Sequence, residues 1–160
     1  MDSKFDNEWN IWYHNIKTDW TINGFKNIYN IKTIEDYWKL YNNWDKLYYI
    51  NNKHFFIMKN DILPIWEEPT NKSGGCWSFK VSENMAQKLW DDLSMYLVTE
   101  NLSSIKDDIV GLSSCLKKNN CTVIKIWNKN SQNNNIDLLA KPILDKWGRD
   151  IIYIAHMPDL

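Results

Sequence analysis

Histidine, cysteine and glycine are scarce in this sequence, and net charge is nearly absent. The three histidines, His14, His54 and His156, are far apart, and no serine or cysteine sits in a nucleophile motif. That pattern argues against an enzyme, and each histidine reads as structural or solvated. The three cysteines, Cys76, Cys115 and Cys121, are odd in number and lack metal-ligand spacing. They support neither a disulfide framework nor a zinc site, and they fit a reducing, cytoplasmic setting. No cofactor is called for, and Asp107-Asp108 reads as a helix feature, not as part of a metal-binding carboxylate cluster. Nineteen Lys and Arg against 20 Asp and Glu leave a formal charge of -1, which excludes a protein that coats nucleic acid by neutralising many phosphates. The first ten residues hold no apolar signal core, and no apolar run approaches bilayer length, so no membrane segment is expected. A chain of 160 residues without repeats or a linker reads as a single domain, 1–160, and as a monomer.

Aromatic residues are abundant, with ten Trp and eight Tyr. Tryptophan is seldom fully buried, and a domain of this size does not need ten for its core, so some of them belong to binding surfaces. The densest signal is DILPIWEEPTNKSGGCW, residues 61–77. Pro69 fixes φ and Gly74-Gly75 permit φ > 0, which predicts an ordered turn, not a helix, between Trp66 and Trp77. An indole followed at once by Glu67 and Glu68 suits a flat cationic ring carrying N–H donors. The indole would stack on its face and a carboxylate would accept two parallel N–H bonds along its edge. The same residues also allow a core tryptophan beside solvated glutamates. Trp20, alone in the polar stretch 17–23, is either a ligand contact or a simple surface residue.

The remaining pattern alternates strands and helices. Residues 7–15 read as a strand, with Trp9, Ile11 and Tyr13 on one face and Asn10, Trp12 and His14 on the other, and 25–31 as a second. Thr33 opens a helix with Asp36 at the capping-box position and Ile34, Tyr37, Trp38, Tyr41 and Trp44 along one side. Residues 54–65 read as a hairpin turning at Asn60-Asp61, and 77–81 as a half-buried strand. Ser82 caps a helix striped by Met85, Leu89, Leu93 and Tyr96, a shorter helix is expected over 105–113, and 121–127 is strand-like, with Val123, Lys125 and Trp127 sharing a face. A further helix starts near Pro142 and ends at Gly148, before a last strand over 151–155. The sum is an α+β domain: one curved antiparallel sheet with about three helices on its convex face, and the loops of Trp20 and Trp66 at a pocket on the concave side.

In this order and spacing the residues resemble the eukaryotic translation initiation factor 4E family, which binds the mRNA 5' cap. The resemblance spans nearly the whole chain. It is carried by Trp9-x-x-Trp12, Trp20, Thr33-Ile34-Glu35-Asp36-Tyr37-Trp38, and Pro64-Ile65-Trp66-Glu67 through Asn71-Lys72 to Gly74-Gly75-x-Trp77. It continues in Trp90, in Asp107-Asp108-Ile109-Val110-Gly111 and in Ile124-Lys125-Ile126-Trp127. It implies that Trp20 and Trp66 sandwich 7-methylguanine, that Glu67 accepts the guanine N1–H and N2–H, and that Trp127 lies against the methyl group. Lys117, with Lys118 beside it, aligns with a basic position that holds the cap phosphates. On the helical face it implies a docking surface for a short helix of an initiation factor 4G-like scaffold or a repressor peptide, with Trp38 as anchor and Ile34, Trp9 and Met95 around it.

Departures from the family pattern set further expectations. Cys76 stands where the family often has arginine and Val123 where it often has lysine, so the phosphate grip is expected to be thinner, with Lys125 as a substitute. Asp91 replaces a usually apolar position and Thr99 a usual glycine, which points to a dedicated partner. The mobile loop and final strand that the family carries after the strand at 151–155 are missing, so contact beyond the cap is expected to be weaker or the cap preference altered. The function implied is cap binding with recruitment of a scaffold to start translation in the cytoplasm. The alternatives are a cap-binding repressor that sequesters mRNA without recruiting a scaffold, or a protein-interaction module with a degenerate pocket. The Asn, Ile and Lys bias reads as an AT-rich genome, fitting a protist or a virus in its host's cytoplasm.

Overall fold

The computed structural model describes residues 3–43 and 54–157. Seven strands form one antiparallel curved sheet in the order β2-β1-β3-β5-β6-β4-β7. They are β1 (Lys4–His14), β2 (Phe25–Thr33), β3 (Phe55–Lys59), β4 (Gly75–Ser82), β5 (Ile109–Lys117), β6 (Cys121–Asn128) and β7 (Ile152–Ala155). The helices are α1 (Ile34–Tyr41), α2 (Pro69–Lys72), α3 (Glu83–Val98) and α4 (Lys141–Trp147). Alternation along the strands sends side chains to two separate clusters. Trp9, Ile11, Ile57, Trp77, Phe79, Leu112, Ile124 and Ile126 pack with α1, α3 and α4 on one face. Phe25, Phe56, Met58, Cys76, Val110 and Trp127 form a smaller cluster on the other. Trp9, Trp77 and Trp90 are essentially inaccessible, so each contributes up to about 5 kcal/mol of apolar burial.

Helix starts follow local chemistry. Thr33 Oγ1 accepts from Asp36 N while the Asp36 carboxylate accepts from Thr33 N, the reciprocal capping box expected for α1. Ser82 occupies the N-cap of α3, but its hydroxyl bonds Asn84 Oδ1 and not the helix backbone. The buried stripe of α3 runs through Ala86, Leu89, Trp90, Leu93 and Leu97, leaving Met85 exposed. Gly148 ends α4 at φ 89°, a conformation that disfavours any side chain. Trp44 lies outside the described residues.

Three segments depart from the sequence expectation. Residues 105–113 do not form a helix: Asp107 turns the chain at φ 64° and strand β5 begins at Ile109. This strand is central and residues 109–114 are buried on both faces, so its apolar run lacks the alternation that would have marked it. Residues 62–65 do not return as a hairpin strand, since β3 pairs with β1 and β5. Asn60 turns the chain at φ 50°, and Ile62 and Ile65 instead pack as loop residues beneath the second cluster. The turn between Trp66 and Trp77 contains one helical turn, α2, with Pro69 in its first position and Glu68 as N-cap, where a missing N–H costs nothing.

Candidate functional site

Tryptophan exposure separates binding indoles from core indoles. Among the described residues, Trp20, Trp38 and Trp66 are exposed, at 56%, 42% and 47%. Trp20 and Trp66 line one cavity of about 570 Å³ on the sheet face away from α1, α3 and α4, a volume suited to a nucleotide-sized ligand. Glu67, Trp127, Lys117 and Lys125 line the same cavity. Lys118 does not, because β5 ends at Lys117 and residues 118–120 turn away.

The Trp66 loop is held from within. Asn71, fully buried, donates its amide to the carbonyls of Leu63 and Ile65, both at 2.8 Å. The Glu68 carboxylate is engaged as a cap, accepting from Thr70 N at 3.1 Å, while Glu67 stands exposed on the cavity wall. Of the two glutamates, Glu67 lines the cavity and Glu68 does not.

The Trp20 loop is fixed differently. Asp19 accepts from the hydroxyl of Thr21 at 2.6 Å and from its amide at 2.9 Å. The Thr21 hydroxyl is the main influence holding the Asp19 carboxyl below its usual value. His14 bonds the Asp19 carbonyl through Nε2 at 2.8 Å, and its ring lies against the Trp20 indole, 3.9 Å between centroids and 28° from parallel. His14 thus backs Trp20. His54 sits edge-on to both rings, and burial pushes its imidazole down to about 3, so it is neutral.

The cavity floor is aromatic. Phe56 meets Phe25 and Trp127 edge to face at 5.3 and 6.0 Å, and the Trp127 indole N–H donates to Ser113 Oγ at 3.0 Å. Cys76 pairs across the sheet with Trp127. Burial pushes its thiol up to about 12, so it carries no charge. His156 lies against the Trp127 edge. Its Nδ1 is 2.7 Å from the Asn71 carbonyl and must donate to it, leaving Nε2 to accept the Cys76 thiol proton at 3.2 Å. Burial holds the His156 imidazole below its usual value. Cys76 itself brings no positive charge, and among the described residues the lysines on the wall are Lys117 and Lys125.

The histidines, scattered in sequence and read there as structural or solvated, meet at this site: His54 and His156 line the cavity and His14 supports Trp20. Only tertiary pairing of β1, β3 and the chain after β7 brings them together. Asp107-Asp108 is not a helix feature; Asp108 is buried and accepts from Asn128 Nδ2 at 3.1 Å. Among the described residues no His, Cys, Asp and Glu cluster has metal-binding geometry. Among the described residues no helix is long and apolar enough to cross a membrane.

On the opposite face, Ile34, Trp38 and Tyr41 of α1 and Met95 of α3 are exposed. Trp9, expected beside them, is 1% exposed and belongs to the core. Its β1 parity points it at α3, so it supports that surface from beneath without reaching it.

The chain is similar to the initiation factor 4E of Dictyostelium discoideum (28% identity over 132 residues, 79% of this chain and 52% of that protein). It is likewise similar to 4E-1 of Hordeum vulgare (30% over 136 residues, 80% and 61%). It spans about half the length of the first curated relatives it matches, such as the rice initiation factor NCBP, of which it covers 46%. In fold it resembles Caenorhabditis elegans eIF4E-3 solved with the 4E-binding protein Mextli and a cap analog, with a TM-score of 0.81 at 21% identity over 98% of this chain and 94% of that one. Ascaris suum eIF4E-3 solved with the m2,2,7G cap gives 0.82 at 21% identity over 100% and 94%. The family described as Eukaryotic initiation factor 4E matches residues 4–154, and the chain belongs to it.

Proposed function

We propose that this protein binds the 7-methylguanosine 5' cap of mRNA, stacking the base between Trp20 and Trp66 while Glu67 accepts its N1–H and N2–H. The observation that carries this reading is the pair of exposed indoles on the walls of one cavity with Glu67 beside them. Trp127 is the floor against which the methyl group rests, and Lys117 and Lys125 hold the phosphates without help from Cys76. The solved nematode relatives with cap analogs support the assignment. N7 methylation makes the base cationic, so each indole adds about 0.5 to 2 kcal/mol and each hydrogen bond to the carboxylate about 1.5 to 3 kcal/mol. Removing the methyl group should weaken binding by roughly 100-fold. The reading involves no catalytic step.

The exposed stripe of Ile34, Trp38, Tyr41 and Met95 is the docking face for a helix of a scaffold initiation factor, and the relative solved with a 4E-binding protein supports it. Asp91 within this face favours a second reading, in which scaffold recruitment is lost and the protein sequesters capped mRNA.

A tryptophan-fluorescence titration of wild type and Glu67→Gln with 7-methyl-GTP and GTP, at two salt concentrations, tests the cap assignment. Quenching that prefers the methylated nucleotide and is lost in the variant upholds it. Equal responses to both nucleotides would reject the pocket and leave the helical face as the functional surface.

A further inference from the structure

The exposed apolar side chains of the docking face, Ile34, Trp38, Tyr41 and Met95, are interrupted on α3 by a single ionisable group, Asp91. Tyr37 ties α1 to α3, its hydroxyl bonding the Asp91 carbonyl at 3.3 Å and Ser94 Oγ at 3.1 Å. Its ring touches both Trp38 and Tyr41, so the α1 stripe lies beside the α3 stripe. On α3 that stripe runs at four-residue spacing through Gln87, Asp91, Met95 and Thr99. Asp91 is half-buried between Gln87 and Met95, with its Oδ1 accepting from the Gln87 amide at 2.9 Å. Among the described residues no lysine or arginine pairs with it. The adjacent Asp92 is compensated differently, by Lys146 at 2.7 Å and by the Trp147 indole N–H at 2.9 Å.

A helix laid across this stripe covers the Asp91 carboxylate. If an apolar residue sat over it, an ionised group would be desolvated without a counter-charge, which costs more than the apolar contact returns. A cation set opposite it turns the same desolvation into a close, water-poor charge pair. We propose that the partner of this face is an amphipathic helix carrying a lysine or arginine inside its apolar stripe, set against Asp91. The carboxylate then works as a filter, rejecting helices that are apolar throughout and admitting the cation-bearing one. This rests on the docking reading given under Proposed function, and it makes the partner a dedicated one.

The test uses the full chain and a set of synthetic amphipathic peptides about four turns long, apolar at i, i+3, i+4 and i+7. Each apolar position in turn is made lysine. Fluorescence anisotropy measures every peptide against wild type, Asp91→Leu and Asp91→Asn, with circular dichroism confirming that the variants fold. One lysine position should bind wild type roughly tenfold or more tighter than the all-apolar parent. Asp91→Leu should reverse that order, and Asp91→Asn should abolish the preference while leaving the parent bound. If wild type and Asp91→Leu rank all peptides alike, the carboxylate does not select and the inference fails, although the docking face stands. If only Asp91→Leu binds any peptide, the carboxylate closes the face and the inference fails in favour of the sequestering reading. If no peptide binds any of the proteins, the docking reading itself falls.

Discussion

Exchange of Asn71 for aspartate changes almost no volume and removes both donors that hold the Trp66 loop. The Asn71 amide bridges the carbonyls of Leu63 and Ile65, and the residue has no exposed surface. A carboxylate there cannot donate and faces two carbonyl oxygens. Losing one such bond and orphaning its acceptor costs about 1 to 3 kcal/mol. Two together, softened by partial access of water to the loop carbonyls, give about 2 to 4 kcal/mol. For a domain of this size that is roughly 5 to 15 °C in Tm. The damage is directed, because the released segment carries Trp66 and Glu67. Thermal unfolding by circular dichroism should therefore show the drop, and a 7-methyl-GTP titration well below the new Tm should show affinity lost in a protein still folded. An Asn71→Asp variant with unchanged Tm and unchanged affinity would refute the claim that this amide organises the loop. A lowered Tm with full affinity would confine its role to stability.

Three further outcomes are expected. His14→Ala removes the ring behind Trp20 and should weaken cap-nucleotide binding roughly two- to tenfold, the worth of an aromatic pair; His14→Phe should restore it, and failure to do so would place the effect in the Asp19 hydrogen bond. Gly74→Ala would place a Cβ 1.8 Å from the Asn128 carbonyl oxygen, a backbone atom that cannot step aside. The expected loss is about 1 to 3 kcal/mol in a urea unfolding curve, and an unchanged midpoint would contradict the packing described. Asp91 has its carboxyl raised to about 6, chiefly by burial and secondarily by Asp92, with the Gln87 amide opposing. Because the folded value exceeds the unfolded one, this group's favourable contribution is full below pH 4 and is lost as pH rises through 6. Asp91→Asn should then be more stable than wild type at pH 7.5 and lose that advantage by pH 4, as urea midpoints across that range would show.

Much of the architecture is legible in the chain because it is local. The capping box at Thr33 and Asp36 needs only four residues, and β1, β4 and β6 advertise themselves by alternation, each having one face toward the helices. Context marks two of the exposed indoles as candidates without deciding them, since Trp20 stands in a polar loop and Trp66 precedes two carboxylates, whereas only the family resemblance singles out Trp38. What failed was where local pattern carries no information. Strand β5 opens on an apolar run buried on both faces, so its period is invisible there and its residues pass for a helix. The short apolar run from Ile62 to Ile65 passes for a strand by composition, yet Ile62 and Ile65 pack as loop residues against the second cluster.

Sequence by itself therefore determined most of the elements, but not β5, α2 or the loop after β3, together with the Trp66-Glu67 dipeptide and the neutral balance of charge, since each of these depends on neighbours a few residues apart. Tertiary structure alone decided the site's construction. It joins His14, His54 and His156 around the cavity from three distant segments, chooses Lys117 over Lys118 by where β5 ends, and assigns Glu68 to a helix cap and Glu67 to the cavity wall. It also withdraws Trp9 into the core and leaves Asp91 half-buried in an apolar face. These outcomes depend on which strands pair and which side chains share a face, and strand order across a sheet is a long-range property that no short stretch of chain encodes.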